Sequence, residues 1–154
     1  MAIPRGLGVF LILATAVSAG SASEVRTQFR VGATVLAHAS LRVRSEPVNL
    51  TITPDAVRRG FIEVLEPTRI EVSNNSPHGY ALLVQPQMMI FSALRVRSAG
   101  GEVLLGNEGG MIVEHGQHGI TLPLELTYRF DLASSVAPGE YPWPVHLAVQ
   151  ALEP

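Results

Sequence analysis

Apolar and polar residues alternate with a period of two along most of this chain, the pattern of strands that bury one face. From Gln28 to Leu36, Phe29, Val31, Ala33 and Val35 point one way, and Gln28, Arg30, Gly32 and Thr34 the other. Leu41 to Arg44 alternates again, and Leu50 to Thr53 is a third short strand, stopped by Pro54-Asp55. Phe61 to Leu65 and Thr68 to Ser73 read as a fourth and a fifth, with Ile70 and Val72 inward. The cluster Asn74-Asn75-Ser76-Pro77-His78-Gly79 is a turn, and Tyr80 to Gln85 follows as the sixth strand. Phe91 to Arg97 is the seventh, with Arg95 and Arg97 on its wet face, and Gly100-Gly101 is a hairpin turn into Val103 to Leu105. Met111 to Val113 follows a loop at Gly106 to Gly110, and Ile120 to Leu132 offers one or two more strands. After the turn Ala137-Pro138-Gly139, Tyr141 to Leu152 closes the chain, with Val145, Leu147 and Val149 alternating. Pro142 and Pro144 cannot donate to a central ladder, so this last strand is expected to enter bent or to lie at an edge, with Trp143 filling the sandwich end. Asp55 to Gly60 offers one helical turn at most. Many short strands separated by Gly and Pro turns predict an all-β sandwich in a single domain.

The pattern breaks at the N-terminus. Met1 to Ala22 carries one positive charge, Arg5, then an apolar run from Leu7 to Ala14, then small residues, the layout of a cleavable secretory leader. The expectation is a signal peptide over residues 1–22 and a mature domain over 23–154, working in the periplasm or outside the cell. The apolar run is short of the roughly 20 residues a membrane-crossing helix needs, so no stable membrane span is expected.

Composition narrows the function. Of 154 residues, 47% are hydrophobic and 16% charged, and the formal net charge is −2. That is a folded, slightly acidic protein with no electrostatic footprint for nucleic acid. There are no cysteines, which removes thiol nucleophiles, thiolate metal sites and disulfides. Carboxylates such as Glu63, Glu71, Glu102 and Glu125 are scattered along strands and read as solvated faces. No nucleophile elbow, P-loop or dinucleotide fingerprint occurs, so no catalytic residue, cofactor or enzymatic activity is expected. Of the basic pairs Arg42/Arg44, Arg58/Arg59 and Arg95/Arg97, two alternate with apolar residues and read as outer strand faces, where charge also discourages edge pairing. His115 and His118, with Met88 or Met89, are the alternative chemistry, a copper site. Two close ligands fall short of the three or four that a tight site needs, and a polar loop tip is the simpler reading. Asn49-Leu50-Thr51 and Asn74-Asn75-Ser76 match the glycosylation pattern.

Two resemblances add to this. The segment Leu36 to Leu41 is similar to the start of small periplasmic copper-binding sandwiches, but His38 lies well past any leader cleavage point and lacks the free amino group of such sites. More of the chain is engaged by a second likeness. The run Phe29-Arg30-Val31-Gly32-Ala33-Thr34-Val35 is followed by Ser40, by Arg69 to Asn74, by Gly79 to Val84, and by Val136-Ala137-Pro138-Gly139-Glu140-Tyr141. This order resembles the spore coat protein U-type domain, the fold of one class of chaperone–usher pilus subunits. The resemblance implies an incomplete immunoglobulin-like sandwich with an apolar groove. A neighbouring subunit's N-terminal segment fills that groove as an added strand, and a periplasmic chaperone fills it beforehand. Carried onto this chain, the donor strand lies at 27–36 with Phe29, Val31, Ala33 and Val35 as groove-filling residues, and Val145 to Val149 flanks the groove. The family's cysteines fall on Ser40 and on Asn74 or Asn75, and its smooth last strand is interrupted here by Pro142. From the residues alone, 27–36 fits equally as the first strand of a complete sandwich.

Overall fold

The computed structural model describes residues 35–115 and 119–153. The expected leader, the expected donor positions Phe29, Val31 and Ala33, and His118 lie outside these residues. Among the described residues ten strands and one helix run in the order β1 (Ala39–Ser45), β2 (Asn49–Ile52), α1 (Pro54–Arg59), β3 (Phe61–Asn74), β4 (Tyr80–Pro86), β5 (Phe91–Ser98), β6 (Gly101–Gly106), β7 (Gly110–Glu114), β8 (Ile120–Leu132), β9 (Gly139–Pro142) and β10 (Val145–Ala151). A five-stranded sheet, order β1-β3-β8-β5-β6, packs on a three-stranded sheet, order β10-β4-β7, while β2 and β9 form a separate ribbon. Every pairing is antiparallel, so the all-β sandwich expected from the alternation is what forms.

The core is filled from both sheets. Ile70 and Val72 of β3, Leu94 and Val96 of β5, and Leu126, Tyr128 and Phe130 of β8 meet Tyr80, Leu82 and Val84 of β4. Aromatic rings close one end. Phe130 lies 5.0 Å from Phe91, and Trp143 meets Tyr128 and Phe130 edge-on at 5.2 and 5.8 Å.

The structure corrects four local readings. The fourth and fifth predicted strands are one, β3, whose register with β8 shifts between Val64 and Thr68, and Pro67 in the break has no N–H to give a ladder. The closing segment is two strands. Its N-terminal part, β9, pairs with β2, and after the Trp143 N–H donates to the Val48 carbonyl (2.9 Å) the chain turns at Pro144 into β10 on β4. The prolines therefore mark both a bend and an edge, since β10 ends the three-stranded sheet. The Gly106 to Gly110 stretch is a hairpin turn, closed by the Gly109 N–H donating to the Gly106 carbonyl (3.0 Å), and it carries the chain from β6 in one sheet to β7 in the other. Finally, Val35 and Leu36, the end of the first predicted strand, are not strand here. The helix α1 runs six residues, longer than one turn. Thr53 caps it by accepting from the Ala56 N–H (3.1 Å), and Gly60 ends it in the left-handed region.

The turn after β3 ties several segments together. The Asn75 side chain accepts from the His38 N–H (2.6 Å) and donates to the Leu36 carbonyl (3.0 Å). The Ser76 hydroxyl donates to the Leu152 carbonyl, and the Leu152 N–H donates to the Gly79 carbonyl (3.0 Å). The Gly119 N–H reaches the Asn74 carbonyl (2.7 Å). One short turn thus holds the start of β1, the end of β10 and the β7–β8 connection.

The Tyr128 hydroxyl is buried with no well-formed hydrogen bond, and burial pushes its pKa up to about 12, against a smaller lowering from a weak hydrogen-bonding contact with Thr68 and a small further rise from Glu46. The unfolded chain releases that proton near 10. The folded state therefore holds more protons than the unfolded state between pH 10 and 12. Stability should fall across that window, by up to about 2–3 kcal/mol for this group, and level off above it. Tyr128→Phe should remove most of the alkaline slope in melting temperature and leave neutral-pH stability unchanged or about 1 kcal/mol higher. An unchanged slope in that variant would rule the assignment out. A residual slope is expected from Tyr80, whose pKa is also raised by burial and then by Glu114.

Candidate functional site

The two sheets present opposite chemistry to solvent. Arginines and carboxylates alternate with core residues on the outer face of the five-stranded sheet, and antiparallel register sets them side by side. Arg44 meets Glu71 at 2.6 Å, Arg69 meets Glu125 at 2.8 Å, and Arg97 meets Glu102 at 2.7 Å. The hydrogen bond from Arg44 holds the Glu71 carboxyl below its usual range, and Arg97 does the same for Glu102. These pairs are exposed and contribute little to stability. Their placement matters more, because the edges β1 and β6 carry Arg42, Arg44 and Glu102, charges that discourage a further strand.

The three-stranded sheet carries no such charges on its outer face. Register puts Ala81, Leu83 and Gln85 of β4 between His146, Ala148 and Gln150 of β10 and Met111 and Val113 of β7. Met111 is 54% and Val113 40% exposed. Among the described residues β10 pairs only with β4, so its other edge is open and free of formal charge. Its inward side chains Val145 and Leu147 are buried and Val149 is half-buried.

Across the sandwich from β10 lies β1, the edge of the other sheet, and the two strands approach each other. Val43 of β1 faces the interior, opposite buried Ile70, yet it is 42% exposed. An inward-facing valine in contact with water marks a side of the sandwich that the two sheets do not fully cover. This open side, β1 with β10, is the candidate site.

Of the residues singled out in the sequence, Val35 is 80% exposed and precedes β1. Val145 to Val149 forms β10 and flanks the open side. His115 stands at the end of β7 with its Nδ1 3.2 Å from the His78 carbonyl. Met88 is half-buried and Met89 exposed. Among the described residues, no group of three or more His, Cys, Asp or Glu side chains is placed to hold a metal ion. The Asn49 side chain of the first glycosylation pattern donates to Glu140 (2.6 Å), whereas Asn74 of the second is buried and bonded to Ser76 within the turn. Among the described residues no helix is long and apolar enough to cross a membrane.

Comparison with known proteins returns nothing. No family model, no curated protein and no solved structure matches this chain. The site therefore has to be read from its own chemistry. The exposure of Val43 and the contrast between the two outer faces were not read from the sequence. The clue was there, in the absence of charge from Tyr80 to Gln85 and from Val145 to Gln150.

Proposed function

We propose that this protein is a secreted, non-enzymatic structural subunit with an immunoglobulin-like sandwich, and that copies assemble by strand addition at the open β1–β10 side. The observation that carries this reading is Val43, apolar, inward-facing and wet, beside the uncharged open edge of β10. An extended segment entering there gains main-chain hydrogen bonds from β10 and buries alternate side chains against Leu41, Val43 and Val149. The segment 27–36 supplies such side chains in Phe29, Val31, Ala33 and Val35. Each large one buried contributes roughly 1.5–3 kcal/mol. In the periplasm a chaperone would cover the same side before assembly and an usher would order it, as the pilus-subunit resemblance implies.

The test is the mass distribution of the mature protein by light scattering. Full-length protein is expected to form oligomers that resist denaturant. Deletion of residues 23–34 should leave folded monomers, and so should Val43→Arg, which puts a charge at the groove mouth. A full-length protein that stays monomeric at high concentration, or oligomers indifferent to both changes, would defeat the proposal.

A further inference from the structure

On the outer face of the five-stranded sheet two arginines face each other across neighbouring strands. Arg95 of β5 and Arg129 of β8 are direct cross-strand partners. Like charges at that spacing repel and destabilise the pair. Each has carboxylates within ion-pair range, at longer separations than the close pairs elsewhere on this face. Arg95 lies 3.7 Å from Glu102 through Nη1 and 3.7 Å from Asp131 through Nε, and that Nε is buried with no hydrogen-bond partner. Arg129 lies 3.6 Å from Glu63 and 3.4 Å from Asp131. Asp131 is thus shared between the two, while Glu102 is held by two hydrogen bonds from Arg97, at 2.7 and 3.1 Å. The Arg129 guanidinium also lies over the Phe61 ring, 3.9 Å from its centroid, which fixes its plane.

A cavity of about 240 Å³ opens here, lined by Arg95, Arg97, Arg129, Glu63, Glu102 and Thr127 among others. Three arginines face two glutamates across it. Asp131, shared by Arg95 and Arg129, balances the three arginines, so what the site offers an anion is guanidinium N–H groups without close acceptors, the buried Arg95 Nε first. Guanidinium forks match carboxylate, sulfate and phosphate oxygens in geometry and charge. An anion seated between Arg95 and Arg129 would replace their repulsion with charge-assisted hydrogen bonds. The volume is below the roughly 300–1,000 Å³ of pockets for drug-sized ligands, so it suits one anionic group and a small carrier.

We propose that this cavity binds an oxyanion group, either a free ion or the acidic substituent of a small molecule such as a sugar acid, with Arg95 and Arg129 as its principal contacts. The experiment is calorimetric titration of the full mature chain with sodium sulfate, inorganic phosphate and glucuronate, at constant ionic strength set with chloride. Saturable binding is expected, weakened about ten- to a hundredfold in Arg95→Gln and in Arg129→Gln. Arg69→Gln, which alters a closely paired arginine elsewhere on the face, should leave it unchanged. Tighter binding of glucuronate than of sulfate would identify an acid carried on a sugar, and equal or weaker binding a free ion. Thermal melts report whether each variant is folded, and Arg95→Lys, which keeps the charge and loses the fork, provides a second variant. No saturable binding, or binding equal in all variants as for an adventitious ion only, would overturn the proposal.

Discussion

Replacing Phe130 with alanine should remove about 3–5 kcal/mol of folding stability, much of what a domain of this size possesses. The ring is 0% exposed and sits among Phe91, Tyr128 and Trp143, so its loss forfeits both transfer energy and ring-edge contacts. Little can move in to fill the space. Tyr128 is fixed on β8 by ladders on both sides, Phe91 is paired with Leu132 of β8, and Trp143 is held between two prolines where β9 gives way to β10. A urea melt should show a lower midpoint with an unchanged slope, since the surface exposed on unfolding is nearly the same. Leu104→Ala, on the exposed face of β6, is the matched control and should shift stability by less than about 0.5 kcal/mol. A loss under about 1 kcal/mol for Phe130→Ala would mean that the aromatic end is not the tightly packed core described above.

Gly79→Ala should be comparably damaging, on the order of 3 kcal/mol, without removing a single core atom. Gly79 has φ of 101°, where side chains are strained, and a Cβ there would run into the backbone carbonyl of Glu114. Relief requires β4 and β7 to part at the Tyr80–Glu114 pair, or the turn to change shape. A changed turn would disturb the Leu152 N–H bond to the Gly79 carbonyl and the Ser76 bond to Leu152. Amide hydrogen exchange gives a readout that a melt alone lacks. Protection should fall first at Leu152 and along β7, while β5 and β8 keep theirs. Uniform loss across both sheets, or no loss, would contradict the assignment of the turn as the tie between segments. Gly60→Ala makes the comparison sharp, because Gly60 also has positive φ but nothing lies within 4 Å of its Cβ direction.

Much of this architecture was legible in the residues because strand patterning is local. Alternation placed Ile70 and Val72 inward and Arg97 outward, and Pro142 and Pro144 pointed to a bend and an edge. What escaped was set by pairing between distant segments. Val64 and Thr68 are joined in one strand because β8 runs past both, and nothing within Leu65-Glu66-Pro67 reports that partner. Gly106 to Gly110 looks like any hairpin loop until its two strands are found in different sheets. The candidate site lay beyond reach for the same reason. Val43 alternates like any buried position, and its exposure depends on how closely β10, about a hundred residues later in sequence, covers it. The repulsion of Arg95 and Arg129 likewise needs the β5–β8 register to be known.

The turn that grips both Leu36 and Leu152 also sets how the domain would respond to mechanical load. Both attachment points lie at the same end of the sandwich. Tension applied across them acts sideways on the ends of β1 and β10 and peels each strand off its neighbour one hydrogen bond at a time. A strand lying lengthwise along β10 is loaded differently, since tension along its axis strains all of its hydrogen bonds together. Pulled by its own ends the domain should open at low force, whereas a copy anchored through an added strand should hold.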